Sequence, residues 1–273
     1  AGPETLADIA AGRNAAAKAL RDAERPMLIV GQGALARGDG AAVLAAARQI
    51  ADDCGLVTPD WNGFNVLHTA AARVGGLDVG FVPGDGGRDV AGILAGAESG
   101  EVGAVLLLGA DEIDVARLGR AFVVYAGHHG DAGAHRADVI LPGAAYTEKN
   151  ATWVNTEGRP QRGKRATFPP GDAREDWAIV RALSEAMGET LPYDSLGELR
   201  AAMAEAAPHL ARIDQVTAAA WGPFGAAGAM DHAPFAPAVT DFYLTNAICR
   251  ASETMAECSA LFVGGAEATG TDG

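Results

Sequence analysis

The chain has 273 residues and a formal net charge of −14, which suits one large domain or two small ones and gives a surface that repels phosphate backbones, so nucleic acid is not an expected partner. Hydrophobic residues make up 49% and aromatics only 6%, with 36 glycines; a core of small aliphatic side chains allows the close helix–sheet packing of an α/β protein. The longest apolar runs, such as Val102 to Ala110, are far too short to span a bilayer, so no direct membrane insertion is expected.

In chain order, residues 4–22 form an Ala-rich amphipathic segment with acids early and Lys18 and Arg21 late, which predicts one helix matched to its macrodipole. Pro26 to Val30 is a short continuous apolar run and predicts a strand buried on both faces. The glycine-rich stretch 31–40 then leads to a helix over 41–53, a strand–loop–helix opening of a parallel sheet. A helix over 89–99 and strands over 103–108, 121–125 and 138–141 continue the alternation. The expected architecture is a doubly wound, mostly parallel α/β sheet over residues 1–190.

The second part changes character. Residues 142–171 are loop-rich, with Pro142, Pro160, Pro169 and Pro170. Asp172 with Glu175 reads as an acidic capping box opening a helix that Gly188 ends, and Ser195 with Glu198 as a second capping box. Residues 221–237, rich in Gly, Ala and Pro, read as a linker; 240–258 reads as a last helix, and 264–273 as a disordered end. Residues 191–273 are thus expected to be a helical C-terminal extension.

Sites for chemistry are sparse. Cys54, Cys249 and Cys258 are too few for a secreted disulfide framework and read as small buried hydrophobes. On one helix, Cys249 and Cys258 would lie on opposite faces, about 13 Å apart along the axis. Gly31, Gly33 and Gly38 resemble a dinucleotide-binding loop, but the third glycine is displaced and the simpler reading is a tight turn. His128, His129 and His135 near Asp131 and Asp138 lack metal-ligand spacing, and no metal site is expected. Arg159, Arg162, Lys164 and Arg165 form a basic cluster, expected to pair with Asp172, Glu175 and Asp176. No G-x-S-x-G nucleophile elbow and no P-loop occur, so no catalytic residue is assigned.

One stretch is more specific. It reads GHHGDAGAHRADVILPGAAYTEKNATWVNTEGRPQ, from Gly127 to Gln161. The pattern A-D-x-x-L-P around Asp138 and Pro142, then Glu148, then N-x-E-G-R at Asn155, Glu157, Gly158 and Arg159, resembles the molybdopterin oxidoreductase superfamily. Its detailed wording resembles one branch, the G-type (75-kDa-type) large subunits of respiratory complex I, and the likeness runs from about Arg25 onward. The resemblance implies a C-terminal piece of a peripheral-arm subunit of a bacterial NADH:quinone oxidoreductase, on the cytoplasmic side of the inner membrane. It would support electron transfer structurally, with the other hydrophilic-arm subunits as partners. It also implies iron–sulfur clusters on the rest of the subunit, no cofactor in this segment, and a vestigial pterin-proximal motif made of Asp138, Pro142, Glu148, Asn155, Glu157, Gly158 and Arg159. From the residues, Asp138 is expected to accept backbone N–H bonds, and Glu157 and Arg159 to lock a turn in which Gly158 takes positive φ. The alternatives are a pterin- or nucleotide-binding fragment of a molybdopterin enzyme and an autonomous nucleotide-binding α/β protein.

Overall fold

A computed structural model describes residues 2–264; residues 265–273, most of the expected disordered end, lie outside the described residues. The fold is α/β, with parallel sheets and helices. It divides into two compact units: residues 1–75, 154–159 and 214–240 form the first, and 76–153, 160–213 and 241–273 the second.

The first unit opens with helices α1 (Pro3–Ala10) and α2 (Ala15–Asp22), where one continuous helix was expected. Gly12 at φ +73° turns the chain, and the Asn14 side chain accepts from the Ala16 amide at 2.9 Å, capping a new helix. Strand β1 (Leu28–Gly31) follows, then a single helical turn α3 (Gln32–Leu35) inside the expected glycine loop, and α4 (Gly40–Asp53). Three short strands come next: β2 (Val57–Thr58), β3 (Trp61–Asn62) and β4 (Phe64–Leu67). β4 lies parallel to β1, Leu28 opposite Phe64 and Gly31 opposite Leu67. Leu28 and Phe64 pack on a core of Ala10, Ala17, Ile50, Ala51, Cys54 and Leu56. Burial there pushes the Cys54 thiol up, away from the reactive thiolate.

Residues 221–237 are not a free linker. They have no regular secondary structure, but Trp221 and Phe224 stack edge-on at 4.9 Å and both lie against Phe64 at 5.3 Å. Ala226 donates to the Ala41 carbonyl of α4 at 3.0 Å. The segment is a surface strap, tied down at Trp221, Phe224 and Ala226 while most of its residues stay exposed.

Helix α5 (Arg73–Asp78) leads into the second unit. Helix α6 (Val90–Ser99) is capped by Asp89 and ended by Gly100 at φ +82°. Strands β5 (Ala104–Leu108), β6 (Phe122–Gly127) and, after the short helix α7 (Ala132–Arg136), β7 (Val139–Pro142) form a parallel sheet in that order. Leu94, Leu107, Leu118, Val123 and Tyr125 make its core. The expected loop over 142–171 contains a two-stranded hairpin, β8 (Ala151–Val154) and β9 (Pro160–Gly163). Helix α8 (Asp176–Ala186) starts later than expected, with Glu175 at its N-cap, so Asp172 caps nothing; Gly188 at φ +83° follows its end. Ser195 does cap α9 (Leu196–Ala206), while Glu198 reaches back to the Asp194 amide at 2.7 Å. The expected last helix is two, α10 (Ala247–Arg250) and α11 (Glu253–Phe262), because Ser252 caps a fresh start. Cys249 and Cys258 therefore sit on different helices, both half-buried rather than buried.

Candidate functional site

The carboxyl edge of a parallel sheet is where α/β proteins place ligands. In the second unit the chain leaving β5 delivers Asp111 there, and the chain leaving β6 delivers Asp131. Both are nearly fully buried, at 6% and 3% exposure, so a counter-charge is required. It comes from α10. Arg250 donates from Nη2 to Asp111 Oδ1 at 2.8 Å and from Nε to Asp131 Oδ2, and reaches Glu112 Oε1 at 3.4 Å. The second Asp111 oxygen accepts from the Gly133 amide at 3.0 Å, and Asp131 Oδ1 caps α7 through the Ala132 amide at 2.8 Å. The Arg250 side chain is only 16% exposed. Sequence reasoning missed this network because its members are separated by 119 and 139 residues. One signal was available: Arg250 is the only Lys or Arg after Arg212.

Tyr125 lies beneath this cluster and donates to the His129 carbonyl at 3.0 Å. Burial first, then the carboxylates of Asp111 and Asp131, push its phenol up to about 12. An unfolded tyrosine titrates near 10. The folded pKa is the higher one, so this contribution is complete below pH ~10 and is lost as pH climbs through about 12. Urea midpoints at pH 9 and pH 11 should therefore differ more for the native chain than for Tyr125→Phe; equal differences would contradict the burial.

His128 and His129 place their Nδ1 atoms 2.7 Å apart, and burial depresses the His128 pKa first, before its neighbour does. They share a hydrogen bond with each other, while His135 lies on α7. Among the described residues no three His, Cys, Asp or Glu side chains are grouped to hold a metal ion.

The resemblance motif falls in both units. In the second, Asp138 Oδ2 accepts from the Val123 amide at 2.7 Å, tying the entry of β7 to β6. Its backbone donor is thus across the sheet rather than in the preceding loop. Pro142 ends β7, and its carbonyl accepts from the Arg174 amide at 3.0 Å. Glu148 Oε2 closes a turn on the Ala145 amide at 2.9 Å. In the first unit, Asn155 Oδ1 accepts from the amides of Glu157 at 3.2 Å and Arg159 at 3.0 Å. Gly158 stands at φ +83°, and Arg159 grips Glu157 through Nε at 2.8 Å and the Asp214 carbonyl through Nη1 at 2.6 Å. This is the locked turn expected from N-x-E-G-R. Asn155→Ala leaves two turn amides without their acceptor and should cost about 1 kcal/mol, read from the urea midpoint; an unchanged midpoint would show the turn is held elsewhere.

The basic cluster does not pair as expected. Among the described residues Arg162, Lys164 and Arg165 bridge none of Asp172, Glu175 and Asp176. Asp176 takes Lys149, Glu175 takes the Trp177 indole at 2.7 Å, and Arg165 lies over the Phe168 ring at 4.3 Å. The strap crosses the glycine loop. A Cβ on Gly33 would lie 2.9 Å from the Ala236 carbonyl oxygen. Arg37 pairs with Asp39 at 2.8 Å and donates to the Ala233 carbonyl at 2.8 Å, and a cavity of about 700 Å³ remains between the loop and residues 229–238. The motif side chains Asp138, Glu148, Asn155, Glu157 and Arg159 are each hydrogen-bonded within the chain.

The molybdopterin oxidoreductase family matches residues 1–186, and the C-terminal family of G-type NADH-ubiquinone oxidoreductase subunits matches residues 207–258. The chain is 43% identical over 263 residues to the NADH-ubiquinone oxidoreductase 75 kDa subunit of Reclinomonas americana, covering 94% of this chain and 37% of that protein. It is 46% identical to the mitochondrial NADH dehydrogenase (ubiquinone) iron-sulfur protein 1 of Solanum tuberosum, covering 95% and 34%. It is 42% identical to the mitochondrial 78 kDa subunit of Neurospora crassa, covering 89% and 33%. The chain thus spans about a third of the length of the relatives it matches. It belongs to the molybdopterin oxidoreductase family, followed by the C-terminal segment of the G-type complex I branch.

Proposed function

We propose that this chain is the C-terminal part of a peripheral-arm subunit of NADH:quinone oxidoreductase, complex I, and that it works as a structural element there. The observation that carries this is the run of 75-kDa-type relatives along nearly its whole length. The site geometry supports a structural role: buried carboxylates neutralised by Arg250, a tyrosine held far from ionisation, and motif side chains bonded to their own backbone. Electron transfer from NADH to quinone runs, on this reading, through iron–sulfur clusters on other parts of the subunit. Its partners are the other hydrophilic-arm subunits, on the cytoplasmic side of a bacterial inner membrane. No described helix is long and apolar enough to cross a membrane, in keeping with a peripheral attachment.

The test is native electrophoresis of mildly solubilised membranes carrying the tagged full-length protein. Comigration with a large NADH-oxidising complex is expected; migration apart from any NADH-driven dye reduction would contradict it. A second reading, a nucleotide or nucleotide-linked pterin held by the first unit, has one observation in its favour. Gln32 Oε1 and His68 Nδ1, just past β1 and β4, are buried without a hydrogen-bond partner. Calorimetric titration with ATP and GDP separates the two: measurable heat of saturable binding favours the second reading.

A further inference from the structure

In a chain of net charge −14, the cations Arg162, Lys164, Arg165, Arg174 and Arg200 of the second unit have no ion-pair partner among the described residues. The neighbouring acids do not answer them. Asp172 bridges none of them, Glu175 accepts from the Trp177 indole at 2.7 Å and the Asn150 amide at 3.3 Å, and Asp176 holds Lys149.

Arg165 and Arg174 line one hollow of about 330 Å³ together with Phe168, Pro169 and Trp177. Phe168 is 75% exposed, and the Arg165 guanidinium lies over its ring at 4.3 Å. The loop that carries both is exposed yet held. The Thr147 carbonyl accepts from the amides of Ala166 at 2.8 Å and Thr167 at 3.3 Å, and Asn150 Oδ1 accepts from the Arg165 amide at 3.2 Å. A loop already fixed loses little freedom on binding, and arginine beside an aromatic ring is the composition of interface hot spots. A second hollow of about 240 Å³ shares Glu175 and Trp177 with the first. Arg200 of α9 lines it with Leu196, Leu199 and Met203. Its Nε is buried without a hydrogen-bond partner. Burial first, then the charge of Arg162, lowers the Arg200 pKa, and Glu175 offsets only part of this. Each hollow thus joins apolar walls to cations that lack a counter-charge.

We infer that the two hollows form a docking groove for an acidic segment of another polypeptide, one that carries apolar side chains between its carboxylates. An apolar side chain enters the first hollow against Phe168 and Trp177, with carboxylates on Arg165 and Arg174. Farther along the segment a carboxylate meets Arg200 and Arg162, and an apolar neighbour covers Leu196, Leu199 and Met203. Charge complementarity selects this occupant. A surface of net negative charge repels an acidic chain elsewhere, so the cations of the groove decide where it lands and in which register.

The test uses the full-length protein in native membranes. A benzophenone-bearing photocrosslinking residue replaces Phe168, whose ring is already exposed, and the crosslinked peptide is sequenced by mass spectrometry. The expected product is a segment of a different polypeptide with Asp or Glu on both sides of the crosslinked residue. The charge reversal R165E/R174E should lower its yield about 10-fold, a few-fold for each exposed ion pair lost. R120E, at an exposed arginine ahead of β6, should leave the yield unchanged. No crosslink, a crosslink within the same subunit, a segment without acidic residues, or a yield indifferent to R165E/R174E overturns the inference. Comigration with the NADH-oxidising complex is read separately on the native chain. A subunit that comigrates without an acidic crosslink fails the groove alone, and an acidic crosslink without comigration fails the assembly alone.

Discussion

Arg250→Ala should lower the unfolding free energy of the second unit by about 3–5 kcal/mol, the range for removing one partner of a buried ion pair. The reason lies in what remains. Asp111 and Asp131 have side chains only 3% and 4% exposed, and neither can move to water while its other oxygen holds a backbone amide near α7. Alanine strands both charges. It also frees α10 from the sheet edge, since the guanidinium is the long-range polar tie between that four-residue helix and the strands. Urea unfolding followed by Trp153 and Trp177 emission, both in the second unit, measures the loss. The triple change R250M/D111N/D131N should recover most of it, because the amides keep accepting the α7 bonds without a buried charge. A single variant as stable as the native chain would show that water reaches the carboxylates.

Gly225→Ala should be nearly as damaging to the first unit, at about 3 kcal/mol, combining left-handed strain with overpacking. Gly225 stands at φ +73°, and a Cβ there would lie 2.5 Å from the Ala45 amide nitrogen and 2.8 Å from the Ala41 carbonyl oxygen. Both are backbone atoms of α4 and yield little. The strap would lift, breaking the Trp221 indole bond to Asp52 at 2.6 Å and opening the Trp221–Phe224–Phe64 cluster. A red shift of Trp221 emission and new proteolysis within 221–237 are expected; an unshifted spectrum would mean the strap bends elsewhere.

These two residues mark where the sequence was legible and where it was not. Strands β1, β5, β6 and β7 were read because parallel strands are continuous apolar runs, a local signal; the burial on both faces expected for β1 is not found, since Ile29 is 57% exposed. The Ser195 cap and the Asn155–Arg159 turn were read because their bonds close within four residues. The small strands β2 and β3 have two residues each, too few to show a period. The breaks in the first and last helices turn on single caps, Asn14 and Ser252, inside otherwise helical composition. The strap was mistaken for a linker because small residues serve both uses: they loosen a free chain and let a packed one approach a helix. The Arg250 clamp depends on contacts across more than a hundred residues, which no local pattern carries. What was anticipated of the motif was its self-locking chemistry at Asn155, Glu157, Gly158 and Arg159.

The most direct measurement is of the purified full-length subunit: molybdenum by elemental analysis, together with pterin fluorescence after oxidative release. A segment whose motif side chains are bonded to their own backbone should come with neither in stoichiometric amount. Stoichiometric molybdenum or released pterin would contradict a purely structural role and return the chain to the enzymes of its family.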